Sequence, residues 1–562
     1  MASCIAWTPT TNRAVVRSRR FSNVNNSNIW GLVNERGGSF GSNELGNDPV
    51  YPVLILMDVF CDFHGQYLSV VAREVYGVRC INVLSEYMAN YLTLQQQKHQ
   101  SLSENDDFGD IQGSENEMPP LPRMPSSPEE AIEWHRGLSE TLLNHQKSIN
   151  KNYNSIEIKG LICESDPGLD DAERLSTWLN VTNHNGYNEA RRNKFLTIET
   201  LASKRIPTVQ QQLCETIDDA ISFAEDQFSS SSAGIVVVKP VRGCASDDVF
   251  LCDNLEAVRS AYQIIKGSTV LGSPTKKHDS VLVQEYAVGQ EYAIDTVSKN
   301  GKLKIAAVWK YDKRPQPPTI DQENLEANRF SANDETRSSN DEIGRVHQSA
   351  RQVYYATKLY DDEENNDEDN GPLLPVIYEY LDDCLNALGI QWGITHSELI
   401  ITSEGPRLVE VNCRQHNMDF VPLTDNGIGY NLYDMLLAAY FGDNNDNWDI
   451  EPNLNIDARV NWELLPDYPS TRMNAAMVHL VNDKKGLLKR LNENALYEIQ
   501  SMDSVLDLEV YPDFLEPGIS IIEPTVDIKS DAGWIQMLHP DPEIFERDYQ
   551  RIMELMPTLF EI

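Results

Sequence analysis

The sequence predicts an α/β protein of several domains, on three observations. VLILMDVF, near Tyr51, and Val78 to Val83 read as buried strands with a helical stretch, Tyr67 to Tyr76, between them, the alternation of a doubly wound sheet. Later apolar runs, Gly234 to Val238 and Val281 to Val283, are short and β-branched, as strands are. THSELII and RLVEVNCRQHN then form two apolar runs joined by Thr402 to Pro406, the pattern of a hairpin. With 562 residues, 41% of them hydrophobic, the chain can bury a sizeable core in roughly two to four domains.

Residues 1–48 read as a disordered or targeting tail. They hold Arg13, Arg17, Arg19 and Arg20, several Ser and Asn and no acid until Glu35, which fits organellar targeting as well as a plain tail of a cytoplasmic protein, and they lack the apolar core of a signal peptide. The first folded unit spans 49–185. An insertion at about 95–150 is closed by a helix from Pro128 to His145 with Ser127 as its cap, and Ile156 to Cys163 returns to the sheet. A second unit, 186–442, carries insertions at about 316–345 and 361–372. Its helix Pro375 to Leu388 places Val376, Ile377, Tyr380, Leu381, Cys384, Leu385 and Leu388 on one stripe and stops at Gly389. Residues 443–562 remain as a C-terminal unit.

The formal charge of -39 argues against a nucleic-acid partner, because phosphate backbones repel such a surface. No run is long and apolar enough to predict a membrane span. The stretches Ser103 to Glu117 and Asp361 to Asp369 are acid-rich and read as solvated insertions. The cysteines number 9, an odd count without a Cys-x-x-Cys pair, which fits a reducing compartment. Cys244 and Cys413 stand beside candidate site residues but read as small packed hydrophobes.

The chemistry gathers in the later half. Glu410 and Asn412 stand two apart, on one face of a strand, and the hairpin can bring Glu398 alongside, giving hard oxygen ligands suited to Mg²⁺. An edge hairpin with solvated carboxylates is the alternative. Lys239-Pro240 leads into Arg242, Gly243, Cys244, Ala245 and Ser246, small residues whose backbone amides can approach phosphate while the lysine supplies a point charge. A bend at Gly289 precedes Glu291.

In order and spacing, Arg191 to Phe441 resembles the ATP-grasp superfamily, nearly half the chain. The resemblance implies an ATP-grasp fold behind an N-terminal doubly wound pre-grasp domain. It makes Lys194 and Lys239 the nucleotide-binding lysines and lays Arg242, Gly243 and Ser246 over the phosphates. It gives the adenine hinge to Gln284, Glu285, Tyr286 and Ala287, and the ribose to Glu291. Glu398, Glu410 and Asn412 become ligands of Mg²⁺, with Mn²⁺ as an alternative ion, and Arg414 stabilises the transferring phosphoryl group. The phosphate loop departs from richer relatives in having one glycine, Gly243.

Within the superfamily, AAVWKYDKRP, WGITHSELII and EVNCRQHN are most similar to the L-amino-acid ligases, which form dipeptides. VHLVNDKKG, EPGISIIEPTVDI and AGWIQMLHPDPEIFERDYQRI extend that likeness to the tail, which the resemblance makes a small C-terminal α+β module. The resemblance implies ATP-dependent joining of a carboxylate to an amine through an acyl phosphate, with small-molecule substrates, no nucleic acid and no membrane, and it is compatible with a homodimer. A carboxylase or purine-type ligase of another branch, and a catalytically silent ATP-binding regulator, are the alternatives. Toward the substrate it places His396, Lys310, Arg314 and Asn417, with Lys313 in the same cluster. A structural histidine and a solvated strand end are the competing readings. His479, in the tail, reads as a packing residue.

The composition of the second acidic run predicts that deleting Glu363 to Asp369 leaves the thermal midpoint and activity nearly unchanged. A melting curve and one rate measurement check this.

Overall fold

The computed structural model describes residues 50–59, 62–103, 122–230, 233–243, 248–270, 276–317, 320–321, 352–362, 372–416, 420–442 and 461–562. The expectations for the first 48 residues, for Cys244, Ser246 and Asn417, and for most of both acidic runs lie outside these residues.

Val50–Met57 is the central strand of a three-stranded parallel sheet, flanked by Arg79–Val83 and Ser155–Cys163. Its continuous apolar run follows from burial on both faces. Asp62–Tyr76 forms the crossover helix expected between the first two strands. Pro128–Ser148 starts as predicted, the Ser127 side chain accepting a hydrogen bond from the Glu130 amide.

A four-stranded antiparallel sheet follows, in the order Gln211–Cys214, Val281–Glu285, Val236–Lys239, Phe250–Cys252. Helices Ile217–Ser230 and Leu255–Ile265 cover it with an alanine- and valine-rich core. Leu373–Ala387 buries Leu374, Ile377, Tyr380, Leu381, Cys384 and Leu385, and Gly389, at φ +70°, ends it. Val376 departs from the predicted stripe: it is 43% exposed, because it sits about 100° of helical turn from Ile377, beyond the apolar arc.

The large sheet has eight antiparallel strands, ordered Gly405–Asn412, Gly393–Thr402, Gly289–Lys299, Lys302–Pro315, Gln352–Leu359, Asn474–His479, Gly533–His539, Val505–Val510. The last three belong to the tail. The tail, expected as a small C-terminal α+β module, therefore contributes strands to the large sheet, pairing Val478 with Ala356. Periodicity identifies strands but not the sheet they join. The tail has its own core on one side, built on Ile499, Ile535, Tyr549 and Ile552.

Helix Leu432–Phe441 is buried on every side, which its all-round apolar sequence requires. Through Tyr433, Leu436 and Tyr440 it shares one core with Leu54 and Leu68 of the first unit and with Ala293 and Trp309 of the large sheet. The first unit is thus locked, through this helix, against a face of that sheet. No described helix is long and apolar enough to cross a membrane, and Cys80, Cys163, Cys214, Cys252, Cys384 and Cys413 are all free thiols.

Candidate active site

Between the small sheet and one face of the large sheet lies a cleft of about 490 Å³, the size of a small-molecule site. Val237, Lys239 and Gln284 line it from the small sheet, and Glu291, Tyr311, Glu398 and Glu410 from the large one. Glu285, Tyr286 and Ala287 carry the chain from one sheet to the other and line the same cleft. Gly289 closes this turn: a Cβ there would stand 2.1 Å from the Ile401 carbonyl oxygen.

Lys194 opens the helix Lys194–Ser203, where Asn193 caps the Leu196 amide. Its own amide donates to the Val241 carbonyl at 3.0 Å, and its ammonium to the Gly243 carbonyl at 3.3 Å, so one residue holds the start of the loop after Lys239 at two points. The same ammonium is bonded to Glu410. Lys239 is 4% exposed, and burial, with the Lys194 charge beside it, lowers its pKa to about 8.

The hairpin closes from Thr402 to Gly405 and sets Glu398 directly opposite Glu410. Asn412 donates to Glu410 at 2.9 Å and accepts from Arg192 at 2.9 Å. Burial works to raise the Glu410 carboxyl, but Lys194 and Asn412 outweigh it and hold it at about 2. Burial and Glu410 likewise push Glu398 up, while His396 and Lys313 bring it below its ordinary value. Both groups are therefore carboxylates near neutral pH, oxygen donors that fit a hard divalent cation, while the Asn412 amide oxygen is taken by Arg192.

Arg414, just past the strand, is 3% exposed and pairs with Asp166 at 2.9 Å. Arg192 binds the same carboxylate at 3.3 Å. Burial opposes the Asp166 charge, but the two guanidiniums hold it at about 2. On the far side of Arg414 a cavity of about 70 Å³ is lined by Glu164, Asn185, Trp392 and Tyr433. His396 lies between Asp295 at 3.2 Å and Glu398 at 3.5 Å; burial disfavours its charge, yet the two carboxylates raise it to about 9. The His416 ring stacks on it, centroids 4.1 Å apart, and burial together with the His396 charge keeps His416 neutral.

Of the predicted residues, the cleft brings together Lys194, Lys239, Gly243, Gln284, Glu285, Tyr286, Ala287, Glu291, His396, Glu398, Glu410 and Arg414. Asn412 stands behind, against Arg192. Arg242 does not face the cleft; it pairs with Asp170 at 2.7 Å and Glu189 at 3.1 Å, tying the loop to the first unit. Lys310 and Arg314 do not face it either, since strand alternation turns them to the opposite side, where Arg314 pairs with Asp312 and lies over Tyr355. Lys313, of opposite parity, faces the cleft and binds Glu291 at 2.6 Å. Cys413 is a partly buried thiol whose pKa desolvation pushes up to about 12, which suits packing and not nucleophilic attack. Asp166, Arg192, Tyr311 and His416 escaped sequence reasoning. Tyr311 donates to Glu398 at 3.0 Å and could have been reached by counting two residues back from Lys313; Asp166 and Arg192 lie in the first unit and the link after it, and no local signal ties them to the hairpin.

A family model described as an ATP-grasp domain matches residues 233–343. Dapdiamide A synthase of Enterobacter agglomerans is 22% identical over 432 residues, covering 76% of this chain and 84% of that protein. Among solved structures, L-amino acid ligase from Bacillus licheniformis superposes with a TM-score of 0.52 at 15% identity, covering 91% of this chain and 98% of that one, and so shares its fold. Phosphoribosylglycinamide synthetase from Anaerococcus prevotii superposes with a TM-score of 0.46 at 13% identity, covering 90% and 98%.

The geometry predicts that Lys239→Ala weakens ATP binding by roughly tenfold or more, since a buried charge-assisted hydrogen bond contributes about 1.5–3 kcal/mol. Because the Lys239 ammonium is present below a pKa of about 8 and lost above it, affinity should fall as pH rises through 8 in the native protein and show no such step in the variant. Calorimetric titration across that range measures both.

Proposed function

We propose that this chain, a member of the ATP-grasp superfamily, is an ATP- and Mg²⁺-dependent ligase that joins the carboxylate of one amino acid to the amine of another. The carboxylate attacks the γ-phosphoryl group, ADP leaves, and the amine displaces phosphate from the acyl phosphate. What carries this reading is the joint presence, in one cleft, of two cationic lysines, a hinge strand, paired carboxylates and a buried arginine. The likeness to dapdiamide A synthase and to an L-amino acid ligase supports it.

Each group has a task in that reaction. Lys194 and Lys239 meet the phosphates as cations, and phosphoryl transfer depends chiefly on such positioning and charge neutralisation. Glu398 and Glu410 fit Mg²⁺, which when bound supplies neutralisation of the phosphate charge. Glu285 to Ala287 border the adenine, and Glu291, oriented by Lys313, meets the ribose. Arg414, oriented by Asp166, faces the negative charge that develops as the acyl phosphate forms. Closing the two sheets over the cleft excludes water, which would otherwise hydrolyse that intermediate.

The purified protein, given ATP, Mg²⁺ and pooled amino acids, should release ADP and phosphate in equal amounts and only in the presence of the amino acids. Glu410→Gln should abolish turnover in a folded protein. Arg414→Ala should keep nucleotide affinity while losing roughly a hundredfold in kcat, because a cation aimed at transition-state charge contributes little to ground-state binding. AMP with pyrophosphate as products, or wild-type turnover in Glu410→Gln, would overturn the assignment.

A further inference from the structure

The amino group of the second substrate arrives largely as an ammonium at neutral pH, and an ammonium has no lone pair with which to attack. Something in the cleft must take its proton. Three of the carboxylates there are engaged, Glu410 by Lys194, Glu398 by His396 and Tyr311, and Glu291 by Lys313, and the fourth, Glu285, sits at the turn between the two sheets, among the residues given to the adenine. His396 is itself flanked by two carboxylates, and His416 faces His396 and Arg414, so neither can readily accept a further positive charge.

His479 stands apart from them. It ends the strand Asn474–His479, lines the cleft, and is 3% exposed. Its Nδ1 is 2.7 Å from Oδ2 of Asp531, itself 3% exposed. That bond commits Nδ1 as the protonated nitrogen and directs Nε2 away from Asp531, where no described side chain bonds it. Around the ring are Tyr354, with centroids 6.3 Å apart, His416, Val526 and Ile528. The charged groups beyond these are Asp527, which faces Asp531, and Lys313, 4.2 Å from the Tyr354 ring centroid. A histidine oriented by a buried carboxylate, with its second nitrogen open to a substrate cleft, is the arrangement of a general base.

We propose that His479, oriented by Asp531, accepts the proton of the attacking ammonium in the amide-forming step; this rests on the ligase reading above. Nε2 takes one proton from the ammonium. The freed lone pair forms the C–N bond at the acyl carbon while the C–O bond to phosphate breaks, phosphate leaving with that electron pair. The second nitrogen proton goes to the departing phosphate, and the imidazolium returns its proton to water. Tail residues would then supply catalysis as well as an extension of the sheet.

The test compares two nucleophiles on one acyl phosphate, using pooled proteinogenic amino acids as carboxylate donors. Hydroxylamine is largely neutral near pH 7 and traps acyl phosphate as hydroxamate without a base; an amino acid needs one. In His479→Gln, hydroxamate formation should stay within about twofold of wild type, while peptide formation falls roughly a hundredfold at pH 7, the typical range for a general base, and recovers as pH is raised toward 9.5. Asp531→Asn, which keeps the imidazole and its volume, should show the same selective loss to a smaller degree. Equal loss of both products in both variants, or undiminished peptide formation in His479→Gln, overturns the proposal. Wild-type protein that forms neither product would instead overturn the ligase reading itself.

Discussion

Two carboxylates facing each other across neighbouring strands, out of bulk water, set the terms for the rest of the site. Glu398 and Glu410 are direct partners in the hairpin, and like charges in that position repel. Desolvation adds to the cost. The surroundings answer with Lys194 on Glu410, His396 on Glu398 and Lys313 beyond Glu291. Each of those cations must in turn be placed by its own element: a capped helix start, the same strand, and the neighbouring strand of the sheet. The arrangement is close to neutral, and Glu398 and Glu410 are the residues that would hold a divalent cation there.

Charge also connects parts of the chain far apart in sequence. Asp166 of the first unit holds Arg414 and Arg192, and Arg192 reaches Asn412. The wholly buried helix Leu432–Phe441 fixes the first unit against the large sheet, so that these pairs can be short. On the opposite side the tail continues the sheet and brings His479 to the cleft. The walls are therefore drawn from the small sheet, the large sheet and the tail, with Asp166 of the first unit behind Arg414, and the small sheet meets the large one through the turn at Tyr286 to Gly289. A connection so short is suited to opening and closing of one sheet against the other.

Local signals were readable wherever chemistry and pattern coincide within a few residues. The hairpin, the Glu398, Glu410 and Asn412 set, the two lysines and the capped helix at Pro128 are of that kind. Strand parity was readable too, but not which parity faces the cleft: Lys310 and Arg314 share one side and Lys313 the other, and only the packing of the two faces decides between them. Asp166, Arg192 and His416 act through contacts made by distant segments, and the tail's membership of the central sheet depends on edge availability, which no residue pattern encodes. Val376 shows the limit on the helix side, where an apolar residue at the border of a stripe is left 43% exposed.

The proposed ligase reaction turns on one covalent event, transfer of a phosphoryl group to a substrate carboxylate inside the cleft. Amino acid labelled with ¹⁸O in its carboxylate follows that event directly, because the oxygen bridging carbon and phosphorus leaves with the phosphate. Mass spectrometry of the phosphate released during turnover should find a single ¹⁸O atom transferred per molecule. Phosphate carrying only unlabelled oxygen, with peptide still formed, would contradict the acyl-phosphate chemistry and with it the roles given to Arg414 and the paired carboxylates.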